Sequence, residues 1–181
     1  VTEGIGDNKK KGKKIEVLDV RRAYFYAKAR RNVFVELPEE DSAPGMCGEL
    51  NKSMYGTRDA ANNWEQEYSE FLISLGFVRG KSVTCSFCHA GRDVQLVVHG
   101  DDFTVLGQEE DLDWFRQMIA KKFDVKFRGR IGPGDKDDKS MRILNRVVQW
   151  SKEGIAIEAD QRHAELIVRM LGLDQGNSVT T

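Results

Sequence analysis

The sequence predicts an α+β fold: an antiparallel sheet with helices packed on one face. Three observations carry that expectation. Short β-prone runs recur along the 181 residues, two long stretches with helical periodicity interrupt them, and Gly- or Pro-containing segments punctuate the joints. With 40% hydrophobic content the chain can build one globular domain with a sizeable core.

Residues 1–14 form a basic arm, with Lys9-Lys10-Lys11-Gly12-Lys13-Lys14 preceded by Gly4 and Gly6, and read as a flexible, solvated segment. Ile15 to Val20 is the first strand, followed by a short turn or helix through Arg21 to Arg30. Val33 to Leu37 is the next strand, closed by Pro38. Ala60, Trp64, Tyr68, Phe71, Leu72 and Leu75 recur as one face of a helix that Gly76 can end. Val94 to Leu106 reads as a hairpin whose two apolar, β-prone runs flank Asp101-Asp102, with Gly100-Asp101 as a turn signal. Gln108 to Lys122 is a second helix, acidic in its first turn and basic in its last, as the helix dipole favours. Phe123–Phe127, Ile143–Trp150 and Ile155–Ile157 are further strands. Asp160 to Leu171 is a closing helix, with Asp160 as cap, Ala164, Ile167, Val168 and Leu171 on one face, and Gly172 beyond it.

Charge excludes one class of partner signal. With 28 basic and 29 acidic residues no global positive field advertises nucleic acid, so any such contact must be local. No run reaches membrane-spanning length and no apolar leader is legible, which points to a soluble intracellular protein. Cys47, Cys85 and Cys88 do not resemble a secreted disulfide framework. Cys85-Ser86-Phe87-Cys88-His89 matches the spelling of a haem attachment site, and its Cys pair that of half a zinc site. However, Cys47, His99 and His163 supply no second zinc pair, and two residues three apart on a strand face opposite sides. Small, partly buried thiols are the expectation.

The chemistry-bearing feature is Asp101-Asp102 between two apolar runs, with Asp19 in the first strand as a third acid. Carboxylates in apolar surroundings call for a compensating cation, and oxygen donors suit a hard divalent one. Adjacent aspartates are not informative by themselves. Asp137-Asp138 lies in a Gly/Pro-rich, charge-alternating stretch and reads as a solvated loop with no chemistry. Strand spacing of about 4.8 Å would let Asp19 share cations with the hairpin acids, and Asp101 is expected as the closer ligand.

Leu18-Asp19-Val20-Arg21-Arg22-Ala23-Tyr24, then Leu50 to Ala60 with Trp64, then Phe71 to Phe77, then Val98-His99-Gly100-Asp101-Asp102 resemble, in this order, the reverse transcriptase domain of copia-type retrotransposon polyproteins. The resemblance covers most of residues 15 to 175. It implies a right-hand polymerase palm over 15–150, with residues 151–181 holding the end of a primer-grip-like hairpin and the start of a thumb. The implied activity is RNA-directed DNA polymerisation with Mg²⁺, or Mn²⁺ in its place. Asp19, Asp101 and Asp102 are the implied catalytic residues and metal ligands, with the Val20 carbonyl as a further ligand. Tyr24 and Arg58 are the implied nucleotide-binding residues. Template-primer, deoxynucleoside triphosphate, integrase and ribonuclease H regions are the implied partners, and the cytoplasm or virus-like particles the implied location. Two features depart from the family: His99-Gly100 replaces its Tyr and apolar residue, and the fingers are largely missing before Asp19. A non-catalytic or domesticated palm fragment that at most binds nucleic acid is the alternative, and a two-metal nuclease using the same acids is a further rival.

Overall fold

The computed structural model describes residues 12–159 and 162–173. The chain divides into two compact units, one reaching to Arg130 and the other starting at Ile131. Most of the basic arm, and the helix cap expected at Asp160, lie outside the described residues.

In the first unit, β1 (Lys14–Val20), β4 (Val78–Arg79), β5 (Ser86–His89), β6 (Val94–His99), β7 (Asp102–Gly107) and β8 (Val125–Ile131) form one sheet in the order β4-β5-β6-β7-β1-β8. The pairs β4–β5, β5–β6, β6–β7 and β1–β7 are antiparallel. A separate two-stranded ribbon joins β2 (Phe34–Val35) to β3 (Gly48–Glu49). The strand expected at Val33–Leu37 is therefore cut to two residues. Its partner is equally short, and Pro38 brings no N–H to lengthen a ladder.

Period-two alternation decides which sheet face is covered. Val94, Leu96 and Val98 are buried while Gln95, Val97 and His99 are exposed; Phe103, Val105 and Gly107 are buried in β7. Register aligns these with Leu18 of β1, making one apolar face. Helices α1 (Ala60–Ser74) and α2 (Glu109–Lys122) supply its cover through Trp64, Tyr68 and Leu72, and through Leu112, Phe115 and Ile119. Each such large apolar side chain stabilises the fold by about 1.5–3 kcal/mol on burial. The helices thus pack on one face, as the sequence predicts, while the opposite face carries Asp19, Asp102 and His99 at one end of the strands.

Helix ends follow the chain's punctuation. Gly76, at φ 94°, donates to the Ile73 carbonyl, and Phe77 donates to that of Leu72, the paired bonds of a left-handed helix stop. At the end of α2, Phe123 is buried and its N–H bonds to the Ile119 carbonyl. Phe123 therefore closes the helix, and the strand expected to begin there starts at Val125 and runs on to Ile131.

The second unit holds an antiparallel meander of β9 (Ser140–Ile143), β10 (Arg146–Ser151) and β11 (Gly154–Ala159), then α3 (Arg162–Met170). The single strand expected over 143–150 is split by a tight turn at Leu144-Asn145, both left-handed with φ of 47° and 59°. The apolar stripe of α3 has the expected spacing, and Ile167, Val168 and Leu171 are exposed on it. Gly172, at φ 65°, follows the helix as expected. Among the described residues no helix is long and apolar enough to cross a membrane.

Candidate active site

The open face of the sheet carries the acids. Register places Asp19 of β1 directly opposite Asp102 of β7, and Asp102 opposite His99 of β6. Paired residues of an antiparallel ladder project to the same side, so His99, Asp102 and Asp19 form a row across three strands. Two residues further along each strand the face turns apolar or neutral, with Val97, Thr104 and Val17. A short polar row thus ends an otherwise largely apolar stretch, in which Val17 is buried.

Asp101 sits in the two-residue turn between β6 and β7. Gly100 takes φ 62° there, and such a loop favours glycine at its first position, which gives the His99-Gly100 departure a backbone reason. Two bonds fix the turn. Trp64 donates from Nε1 to the Gly100 carbonyl at 2.7 Å, and the Val20 N–H donates to the Asp101 carbonyl at 2.9 Å. The first ties the turn to α1, and the second ties it to the strand that holds Asp19.

Electrostatics distinguish the three carboxylates. Burial, and then the negative charges of Asp101 and Asp102, hold the Asp19 carboxyl above its ordinary value, against the opposing pull of Arg128 and Lys126. Asp101 exerts the larger of the two repulsions although Asp102 is the register partner. Asp102 is drawn to a cation: Arg128 Nη1 donates to its Oδ1 at 3.0 Å and to its Oδ2 at 3.4 Å.

Tyr24 lies in the single helical turn Ala23–Tyr26 that follows β1, entered through Arg22 in the left-handed region. Its ring packs on that of Tyr55, centroids 4.3 Å apart, and Phe25 meets Tyr55 edge-on. Burial and the Asp101 charge push the Tyr55 hydroxyl above its ordinary value, so Tyr55 links the aromatic pair to the acids. Arg58 is exposed in the segment before α1, and no hydrogen bond or ion pair among the described residues joins it to the acids. Val20 is fully buried, with its backbone N–H engaged by Asp101.

The donor set fits a hard divalent cation in its chemistry, since all three side chains are carboxylates and their mutual repulsion raises Asp19. Among the described residues, however, no three acid, histidine or cysteine side chains are already gathered closely enough to hold a metal ion. The acids would have to draw together around one. The cysteines give no rival site. Phe87 faces the core between them, Cys88 is exposed, and Cys85 lies near Tyr68, so the pair is split between the faces of β5. Arg128 is the site residue that the sequence did not disclose, since nothing in the spacing linked it to Asp102; Tyr55 and Trp64 stood in the motifs that carry the resemblance, but their contacts with Tyr24 and with the Gly100 carbonyl were not legible there.

Comparison with known proteins gives the family of the chain. The family described as reverse transcriptase (RNA-dependent DNA polymerase) matches residues 8–133, more than half of the chain, and the chain belongs to it. Its relatives are of the copia type. It is 26% identical over 122 residues to the retrovirus-related Pol polyprotein from transposon TNT 1-94 of Nicotiana tabacum, covering 64% of this chain and 9% of that protein. It is 28% identical over 118 residues to the corresponding polyprotein from transposon RE1 of Arabidopsis thaliana, covering 62% and 8%. Against the transposon Ty1-GR3 Gag-Pol polyprotein of Saccharomyces cerevisiae the identity is 27% over 129 residues, covering 69% and 7%. The chain spans less than a tenth of the length of these curated relatives.

Proposed function

We propose that the six-stranded unit is the palm of an RNA-directed DNA polymerase of the right-hand type, joining a primer 3′-hydroxyl to the α-phosphate of a deoxynucleoside triphosphate. The observation that carries this reading is the row of acids: Asp19 faces Asp102 in register, with Asp101 in the adjoining turn. Mg²⁺, or Mn²⁺ in its place, would be held by Asp19, Asp101, Asp102 and the Val20 carbonyl, and would supply charge stabilisation and a lowered pKa for the attacking hydroxyl.

The chain's own groups position and screen. Tyr24, braced by Tyr55, would support the sugar of the incoming nucleotide and reject a 2′-hydroxyl by contact. Trp64, through Gly100, keeps the Asp101 turn from drifting, since misplacement by even 1 Å costs heavily in a positioned reaction. Arg58, in the exposed segment before α1, would reach the nucleotide phosphates. Lys121, Lys122 and Lys126 are the candidates to protonate the leaving pyrophosphate; Lys122 is tied to Glu67 at 2.9 Å, and the Lys126 charge is felt at Asp19. The hairpin of β10 and β11 is read as the element that grips the primer, and α3 as the start of a thumb. Template-primer and the integrase and ribonuclease H regions of a polyprotein would be the partners.

Primer extension on an RNA template with Mg²⁺ or Mn²⁺ tests the reading. Incorporation that Asp19→Asn or Asp101→Asn abolishes, with circular dichroism unchanged, supports it. A folded chain that extends no primer with either metal supports instead the non-catalytic palm, and metal-dependent cleavage without incorporation supports a nuclease.

A further inference from the structure

Strand β8 carries two arginines two residues apart, and they serve opposite faces of the sheet. Arg130 donates from Nε to Glu16 at 2.7 Å, on the covered face where Glu16 aligns with Val105. Arg128 donates to Asp102, on the open face. A regular strand would send both to the same side. Gly129 stands between them at φ 156°, a torsion that side chains rarely adopt, and allows the change of face.

The strand order makes the reach of Arg128 informative. β1 separates β8 from β7, so the guanidinium passes over the strand that bears Asp19 to meet Asp102. It therefore lies across the row of acids. Resting on the metal-binding reading given above, we propose that Arg128 is a positioning residue that competes with divalent cations for Asp102 and thereby sets how much metal the site demands.

The pair is built to be displaced. Arg128 and Asp102 retain 39% and 21% side-chain exposure, and an ion pair this wet holds weakly. Arg130 and Glu16, at 10% and 0%, have no such freedom. A cation that takes Asp102 must evict the guanidinium and then share its surroundings with it, and both effects lower the affinity. Releasing Asp102 also frees it to close on Asp19 and Asp101, which would bring the three acids together.

Mn²⁺ titration of the full chain, followed by the electron paramagnetic resonance of the free ion, tests the competition without relying on activity. Arg128→Gln is expected to bind Mn²⁺ about fivefold tighter than the wild type, the scale of a weak exposed ion pair. Arg128→Lys, with the charge but not the planar fork, is expected to fall between them. Lys13→Gln, which removes an equal charge from the pair with Asp93, should leave the affinity unchanged. Affinity in Arg128→Gln that is unchanged or weaker, while Asp19→Asn still abolishes binding, overturns the competition alone. So does equal tightening by Lys13→Gln. Absence of binding in every protein, the wild type included, overturns the metal-binding reading on which the competition rests.

Discussion

Glu16 and Asp19 sit three residues apart on one strand, yet they live in opposite electrostatic worlds. Glu16 points to the covered face, is fully buried, and is held by Arg116 and Arg130 together. Arg130 extends this cluster to Asp113 at 2.6 Å, and Arg116 stacks on Phe127 at 3.9 Å. Asp19 points to the open face, half-buried, and its nearest charged company includes two more acids. A buried acid survives in a fold only when its charge is matched; a mismatched one marks a place where a ligand can supply the match. The contrast separates an acid that holds the sheet together from one that waits on chemistry.

Three substitutions probe that contrast. The largest effect is expected from Glu16→Ala, which leaves two arginines without their buried partner; urea unfolding should show a loss of about 3–5 kcal/mol. A loss below about 1 kcal/mol would put Glu16 in the same category as an exposed pair and erase the distinction. Trp64→Phe comes next. It removes the bond to the Gly100 carbonyl and leaves space at a fully buried side chain, which should cost about 1–3 kcal/mol, and hydrogen exchange at the Val20 amide should quicken as the Asp101 turn loosens.

The smallest effect belongs to Asp19→Asn, and its sign is the sharpest discriminator. Because Asp19 is raised in the folded chain, the fold binds that proton more tightly than the unfolded chain does. Stability from this group is therefore present at low pH and falls as pH rises from the ordinary carboxylate value through the raised one. Thermal unfolding in chelator should find Asp19→Asn more stable than the wild type at neutral pH, with the difference vanishing below about pH 4. A less stable variant at neutral pH would make Asp19 a structural acid like Glu16.

Much of the first unit was legible because its signals are local. The alternation in Val94–His99 and the helical spacing from Ala60 to Leu75 each report a burial pattern that neighbouring residues share. The two aspartate pairs were also separable from their flanks. Asp101-Asp102 joins two buried-face strands, whereas Asp137 bonds back to the Gly134 N–H at 2.6 Å within its own loop. The turn at Leu144-Asn145 was hidden because a leucine at positive φ has no sequence signal, so two strands read as one. The α3 stripe was legible as a periodicity, but periodicity does not say whether a face is covered.

Sequence alone disclosed the two long helices, the central hairpin and the first strand, the apolar residues that line their core face, and three acids as candidates for one site, because those properties repeat at short range. Tertiary structure alone decided who answers each charge: that Arg130 neutralises Glu16, that Arg128 crosses β1 to Asp102, and that Trp64 on α1 holds the Gly100 turn. These partners lie 114, 26 and 36 residues apart along the chain. Coulombic and hydrogen-bond energies depend on distance in space, and no local pattern encodes a pairing made across strands that are distant in sequence.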